Sequence, residues 1–172
     1  MSTAGTSRRG SRHPDGGEDV KAKGLSSAER AVVVGRERGL CARCGLPGTD
    51  WHHRRSRGVR GPHTHCACNG VLLCRADHQW AHANPDEARQ QGFIVRRTIE
   101  EPSVIPTLRP SGWFATDCDG ALHPLRTTDI QFDSHGEPTL EQRAIQRLAT
   151  QERTLNIKHS MCITNTTTEG TP

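Results

Sequence analysis

Residues 69–82 read NGVLLCRADHQWAH and join a short apolar run to a polar segment with helical spacing. The apolar residues 71–73 predict a short buried strand. Residues 75–83 predict a helix, and its residues His78 and His82 stand four positions apart, on one face. Two imidazoles one helical turn apart can bind the same metal ion, although a pair of surface histidines has the same spacing.

Upstream of this stretch, residues 51–60 read WHHRRSRGVR and place two adjacent histidines before a cluster of arginines. If His52 and His53 lie on a strand, their side chains point to opposite faces. One ring can then bind a metal ion while the other accepts a proton, because a neutral imidazole with a pKa of about 6.5 is a base at neutral pH. The alternative is that both histidines are simply exposed.

These residues occur in a defined order, with the histidine pair first, then Asn69, then His78 and His82. In this order and spacing they resemble the HNH endonuclease superfamily, whose ββα-metal site is built from His-His, Asn and His-x-x-x-His. The surrounding sequence, CARCG…WHHRRSRG…NGVLLCRADHQWAHANPDEARQQGFIV, looks like the HNH nucleases encoded by phages of actinobacteria. The resemblance covers residues 38–97.

The resemblance implies a fold class and a set of site residues. The fold would be α+β, a small ββα-metal domain with a zinc knuckle, flanking helices and disordered termini. His52, His78 and His82 would bind a catalytic divalent ion (Mg, Mn, Ni or Zn), which would polarise the scissile phosphate and stabilise the leaving 3′ oxygen. His53 would be the general base that deprotonates the attacking water. Asn69, the other candidate catalytic-site residue, would hold the base strand through hydrogen bonds to backbone.

The cysteines predict a second, structural metal site. Cys41 and Cys44 form a Cys-x-x-Cys turn, and the resemblance implies that Cys74 begins a second knuckle around the same zinc ion. The fourth position of that knuckle is Asp77, where a cysteine is expected. An aspartate binds zinc through oxygen, with a weaker hold than a fourth thiolate.

Two alternatives to this zinc site remain open. Cys66 or Cys68 can replace Asp77 as the fourth ligand. The knuckle can also lack zinc, in which case the three cysteines merely pack together. Cys118 and Cys162 have no partner spacing and are interpreted as ordinary free thiols.

Charge points to a polyanionic partner. The chain of 172 residues has a net charge of +4, from 23 Lys and Arg against 19 Asp and Glu, and residues 41–97 hold nine Arg and only four acidic residues. A positive field beside a metal site favours DNA as the partner, although a charge run is often only a solvated face. Four arginines that follow the predicted base are predicted to contact DNA phosphates: Arg54, Arg55, Arg57 and Arg60.

Composition excludes several classes of protein. Only 32% of residues are hydrophobic and 3% aromatic, so a large aliphatic core is not expected, whereas ten His and seven Cys favour stabilisation by metal. No run approaches the roughly 18 apolar residues of a membrane helix, and the N-terminal segment has no secretory signal. We therefore expect a cytoplasmic protein (in the host-cell cytoplasm if it is phage-encoded) with no membrane partner and with metal-binding cysteines rather than disulfides.

The chain divides into four predicted parts. Residues 1–24 are predicted to be a disordered tail, and residues 25–97 the nuclease domain with its preceding helix. Residues 98–137 are predicted to form an irregular or β-hairpin appendage. Residues 138–172 are predicted to form a C-terminal helix, capped by Thr139, and a disordered tail.

Within the second part, three further elements are predicted. A helix begins near Ser27 and ends at Gly39, a typical C-terminal residue. Pro85 opens a short helix that Gly92 closes. Residues 93–95 are predicted to form a strand.

Two functions follow from these patterns. The first is a metal-dependent HNH endonuclease that hydrolyses DNA phosphodiester bonds, which the resemblance associates with phage DNA processing or packaging alongside terminase subunits. The alternative is a non-catalytic zinc-binding module that binds DNA, and it is motivated by the cysteine knuckle and the basic loop.

Overall fold

A computed structural model describes residues 27–151 of the chain. The tails predicted at 1–24 and at the C-terminal end lie outside the described residues, as does Cys162. Residues 27–151 form a small α+β domain with short antiparallel sheets, which confirms the predicted fold class at that level. None of the helices in this part of the chain is long and apolar enough to cross a membrane.

The first half of the domain follows the predicted order of elements closely. The main elements are α1 (Ser27–Arg36), β1 (Asp50–His53), β2 (Gly70–Leu73), α2 (Arg75–Ala83) and α3 (Pro85–Gln90). A short 3₁₀ turn, Ala67–Asn69, comes directly before β2.

The second half is an appendage made of short strands. Strands β3, β4 and β5 form an antiparallel sheet in that order, and β6 pairs with β7. These pairings are antiparallel, and β3, β4 and β5 lie within the segment for which an irregular or β-hairpin appendage is predicted. The elements are β3 (Thr107–Arg109), β4 (Gly112–Thr116), β5 (Leu122–Pro124), β6 (Ile130–Phe132), β7 (Pro138–Leu140) and a helical segment, α4, at 142–151.

The start of one predicted helix is wrong, and one predicted strand is absent from the described residues. The C-terminal helix begins at 142 rather than at Thr139, because Thr139 pairs with Gln131 in the β6–β7 ladder. Residues 93–95 are not a strand. The amides of Phe93 and Ile94 instead donate to the Ala88 carbonyl oxygen and close the end of α3, which takes them out of any ladder.

The β1–β2 pair sets the position of the histidines. His52 pairs with Val71 and His53 with Gly70. A Cβ atom at Gly70 would overlap the ring of Trp51, so a glycine is required for this close approach. Trp51 packs beneath α1 and thereby anchors the strand that carries both histidines.

Within residues 27–151, apolar contacts form three small clusters rather than one large core, as the low hydrophobic content predicts. The first lies between β2, α2 and α3, the second lies beneath α1, and the third holds α4 against the appendage. Their central residues are, in turn, Leu73, Ala81 and Phe93; Val33, Ala67 and Leu72; and Ala115, Leu140 and Leu148.

Buried charged groups join the two halves of the domain. Arg109 on β3 forms a bidentate ion pair with Glu37, just after α1, and its Nη2 atom lies 3.0 Å from Oε1. Arg36 donates to the carbonyl oxygens of Ala67 at 3.0 Å and Gly70 at 2.6 Å. Because a buried charge is tolerated only when it is paired, the Arg109–Glu37 pair fixes the appendage against the end of α1, while Arg36 holds α1 against β2.

Candidate metal centre

Three histidines from β1 and α2 bring their ring nitrogens together. The ligand atoms of His52, His78 and His82 lie within 4.8 Å of one another. The two Nε2 atoms of His78 and His82 are 3.3 Å apart. Two nitrogens bound to one tetrahedral zinc ion at the usual bond length also lie about 3.3 Å apart, so the spacing fits a shared metal ion.

Hydrogen bonds assign the tautomers of two of these rings. His78 Nδ1 lies 3.0 Å from Asp50 Oδ2, and since a carboxylate only accepts, the lone pair of His78 is on Nε2. His52 Nε2 lies 2.9 Å from the Phe93 carbonyl oxygen, so its lone pair is on Nδ1. Burial lowers the pKa of His52 to about 4, which keeps its ring in the neutral form that binds metals.

His53 follows on β1 and remains half-buried, whereas His52 is fully buried. Its Nε2 atom lies 3.4 Å from His65 Nδ1. Burial lowers the pKa of His53 to about 4, with further contributions from the nearby His65 and Arg57. The ring is therefore neutral at pH 7 and able to accept a proton. His65 is a residue that no sequence spacing pointed to.

Asn69 is 1% exposed and bonds to backbone across the loop that follows β1. Its Oδ1 atom accepts from the Arg55 amide at 2.6 Å, and its Nδ2 atom donates to the Thr64 carbonyl oxygen at 3.0 Å. These are contacts of the kind the sequence predicts for this residue. They make Asn69 a positioning residue for the end of β1, where His53 lies.

An open cavity of about 1020 Å³ lies beside the histidines. His53 and the three clustered histidines line it, together with the exposed side chains of Arg57 and Arg97. Arg96 also lines it but forms an ion pair with Glu137 at 2.6 Å. The cationic rim therefore includes Arg97, which the sequence analysis did not identify.

The prediction that Arg54 and Arg55 contact DNA phosphates is wrong for the folded domain. Arg54 is 2% exposed, and its guanidinium group donates to the carbonyl oxygens of Gly92, Cys68, Pro102 and Ile105. The planar guanidinium group has five N–H donors and can donate to several loop carbonyl oxygens at once. Such a group can hold loops together in a chain that has only a small apolar core.

Arg55 is 4% exposed and donates to the Ile99 and Glu100 carbonyl oxygens at 2.8 and 2.9 Å. Arg57 and Arg60 are exposed, so phosphate contact stays a prediction at those two positions.

A second group brings Cys41, Cys44, Cys74 and Asp77 within 4.8 Å of one another. Cys44 and Cys74 have their Sγ atoms 3.8 Å apart, and two thiolates bound to a tetrahedral zinc ion lie about 3.8 Å apart. Asp77 Oδ2 lies 3.1 Å from Cys41 Sγ and 3.4 Å from Cys74 Sγ. Asp77 therefore completes this group, and neither Cys66 nor Cys68 belongs to it.

The Asp77 side chain is held as a carboxylate. Burial by itself raises the pKa of Asp77, but hydrogen bonds from the neighbouring thiols and from Arg43 outweigh it and lower the pKa to about 2. Arg43 donates to Oδ1 at 2.7 Å and stacks 3.6 Å above the Trp80 ring. The other oxygen, Oδ2, faces the cysteines.

A third group consists of His63, Cys66, Cys68 and Cys118, again within 4.8 Å of one another. Cys118, interpreted from the sequence as an ordinary free thiol, therefore lies beside three other side chains that could bind metal. His63-x-x-Cys66-x-Cys68 is a local signal that could have suggested a site. Cys118 lies 50 positions beyond Cys68, and such a separation carries no spacing signal.

Two cysteine-rich groups in residues 27–151 are thus compatible with structural zinc, and one histidine group is compatible with a further metal ion. Comparisons of the chain with protein-family models, with curated proteins and with solved structures give no match.

Proposed function

We propose that this chain is a metal-dependent HNH endonuclease of the ββα-metal superfamily that hydrolyses DNA phosphodiester bonds. One observation carries the proposal: His52, His78 and His82 converge beside His53 in a single open cavity. Two of these histidines lie on β1 and two on α2, with β2 between them in the chain, and this order supports the resemblance to the superfamily.

The metal ligands in this proposal are His52, His78 and His82. A divalent ion bound by these three histidines would supply Lewis-acid stabilisation of the phosphate and of the leaving 3′ oxygen. Three protein ligands leave coordination positions free for substrate, as a catalytic site requires. The His78–Asp50 hydrogen bond and the His52–Phe93 hydrogen bond orient two of the three ligand rings.

His53 takes the proton of the attacking water. A neutral ring is required, and burial keeps it neutral at pH 7. A phosphate anion in the cavity raises the pKa of His53, because it stabilises the imidazolium that forms. If His65 Nδ1 accepts a hydrogen bond from His53 Nε2, the proton is taken by His53 Nδ1. Asn69 keeps this ring in place through the backbone of Arg55.

The DNA backbone is bound by the exposed cations of the same cavity. Arg57 and Arg97 line it, and their charges are open to solvent. Contacts of this kind position a duplex without reading its sequence, and their contribution to affinity falls as salt rises.

The test uses supercoiled plasmid at low salt with Mg²⁺, Mn²⁺ or Ni²⁺ added in turn. Wild type should nick the plasmid with at least one of these ions. His53→Ala should abolish cleavage while it leaves both DNA affinity and metal content unchanged, since His53 is not a metal ligand in the proposal. His135→Ala is the matched control, because His135 is an exposed histidine on the β6–β7 turn, and it should cleave like wild type.

Absence of nicking with all three ions would overturn the proposal. Equal DNA affinity of wild type and His53→Ala with no cleavage by either would favour the alternative, a non-catalytic zinc-binding DNA module. Cleavage that survives His53→Ala would refute the role assigned to that residue.

A further inference from the structure

The group formed by His63, Cys66, Cys68 and Cys118 has the spacing of a closed metal site. The Sγ atoms of Cys66 and Cys68 are 3.2 Å apart, and those of Cys68 and Cys118 are 3.7 Å apart. His63 Nδ1 lies 3.5 Å from Cys118 Sγ and 4.0 Å from Cys68 Sγ. In a tetrahedral zinc site the corresponding separations are about 3.8 Å between sulfurs and about 3.6 Å between sulfur and nitrogen.

Neither a disulfide nor hydrogen bonding among thiols accounts for the convergence of all four side chains. A disulfide requires an S–S separation of about 2.05 Å and joins only two of the three thiols. It also does not explain why His63 lies beside them. Hydrogen bonds between thiols are weak and do not gather four such groups around one point.

The backbone brings the four ligands together from two distant parts of the chain. Cys66 caps the 3₁₀ turn Ala67–Asn69, whereas Cys118 lies in the turn between β4 and β5. That turn approaches closely, because a Cβ atom at Gly120 would overlap the Val32 side chain and contact Ala67. Gly120 has a φ of 94°, in the region that favours glycine.

The β4–β5 turn is also ordered by its own contacts. Asp117 Oδ1 accepts a hydrogen bond from the Ala121 amide at 2.7 Å, and Asp117 Oδ2 lies 2.8 Å from His123 Nε2. The Cys118 carbonyl oxygen lies 3.7 Å from Cys66 Sγ. These contacts order the turn that carries Cys118 and place its backbone beside Cys66.

We propose that His63, Cys66, Cys68 and Cys118 bind a structural zinc ion that ties the appendage to the loop between β1 and β2. Three thiolates and one imidazole fill all four positions of a tetrahedral zinc site, which is typical of structural rather than catalytic zinc. The tied loop also carries His65 and Asn69, so the ion would hold these two residues in position. The inference does not depend on nuclease activity, since the histidine centre shares no residue with this group.

The first test measures zinc per chain by mass spectrometry after removal of unbound metal. Cys118→Ser should lose about one zinc relative to wild type, and so should Cys44→Ser in the other cysteine group. The double variant should lose about two. Cys162→Ser is the matched control and should retain the content of wild type. Equal zinc content in Cys118→Ser and wild type would overturn the proposal.

The second test uses the unmodified chain and therefore does not depend on a variant that folds. Cysteines are alkylated in zinc-loaded protein with and without a strong zinc chelator, and each modified peptide is quantified. Cys118 is exposed, so the reagent can reach it, and bound zinc should slow its alkylation at least tenfold relative to the zinc-free protein, together with that of Cys66 and Cys68. Equal rates under both conditions would overturn the proposal. So would protection that only a reductant removes, because that result indicates a disulfide.

Discussion

Asp50 Oδ2 accepts a hydrogen bond from His78 Nδ1 at 3.0 Å, at the point where β1 begins beside α2. The same oxygen lies 3.2 Å from Arg75 Nη1. A carboxylate on the far side of a ligand histidine holds the tautomer and raises the basicity of the ring. Asp50 is therefore a positioning residue of the proposed histidine metal centre, and the sequence analysis did not identify it.

The first prediction concerns this contact. Asp50→Asn should lower the affinity of the histidine centre for Ni²⁺ by about 10- to 100-fold, because the His78 ring loses its charged acceptor. Isothermal titration of zinc-loaded protein with Ni²⁺ measures the change. Asp86→Asn removes the same charge from a side chain that is 87% exposed on α3, and it should leave the affinity as in wild type. An equal effect of the two substitutions would contradict the role of Asp50.

The second prediction separates two arginines that are three positions apart. Arg54→Ala should lower the free energy of unfolding by about 3 kcal/mol or more, because several buried carbonyl groups lose their donor. Arg57→Ala should change it by about 0.5 kcal/mol or less, because Arg57 is exposed. Urea denaturation followed by circular dichroism measures both values.

Arg57→Ala should instead weaken DNA binding and reduce its salt dependence, which fluorescence anisotropy with a short duplex measures. If Arg57→Ala unfolds as readily as Arg54→Ala, the assignment of the two side chains is wrong.

The third prediction concerns the aspartate in the Cys41 group. Asp77→Cys should tighten zinc binding there by roughly tenfold, because a thiolate is a softer ligand than a carboxylate. The measurement is the chelator concentration at which Cys44 becomes open to alkylation. Asp77→Ala should shift that concentration in the opposite direction, since it removes a ligand. An unchanged concentration in both variants would show that Asp77 does not bind the ion.

Removal of that zinc should also lower the thermal stability of wild type by several degrees, since ligand binding contributes to the folding free energy.

The fourth prediction is a pH dependence in the appendage. Asp129 Oδ1 accepts from Arg147 Nη1 at 2.9 Å, so it holds α4 against the 3₁₀ turn Thr127–Asp129. Hydrogen bonds from Arg147, against the opposing effect of burial, hold the pKa of Asp129 far below its usual value. The stability that this carboxylate contributes is therefore complete above the unfolded-state pKa of about 3.9 and is lost as the pH falls below it.

Asp129→Asn tests this dependence. At pH 7 the variant should unfold about 1–2 kcal/mol more easily than wild type. The difference should shrink as the pH falls from 5 towards 3, because Asp129 then takes up a proton in unfolded wild type but not in the folded protein. Metal sites lose their ions at low pH in both wild type and Asp129→Asn. The informative quantity is therefore the difference between their free energies of unfolding at each pH. A difference that stays constant from pH 7 to pH 3 would contradict the prediction.

Short-range patterns were predictable because the backbone geometry of one element determines them. The four-residue spacing of His78 and His82 placed both rings on one face of α2, where their Nε2 atoms lie 3.3 Å apart. Residues 71–73 were predictable as a buried strand from their apolar side chains alone. Thr139 shows the limit of local signals, because a good capping residue is drawn into β7 by pairing with a strand that no helical pattern reveals.

Long-range relationships were not predictable from spacing. Cys118 and His63 are 55 positions apart, and only the packing of the β4–β5 turn against α1 brings them within 3.5 Å. His65 joins the proposed centre through the loop that follows β1, and Asp50 joins it because β1 packs beside α2. A sequence offers no measure of such distances, since they depend on how separate elements pack.

The sequence by itself determined the local spacings of the candidate ligands, because each spacing lies within one element. His52 and His53 are adjacent on a strand, His78 and His82 lie one turn apart on a helix, and Cys41 and Cys44 lie in one turn of the chain. Tertiary structure alone decided which charges are open to solvent. Arg54 and Arg57 have the same side chain, but Arg54 donates to buried carbonyl groups, whereas Arg57 lies exposed at the rim of the cavity. The physical reason is that a buried guanidinium must satisfy its donors, and the loops that supply the acceptors come together only in the folded domain.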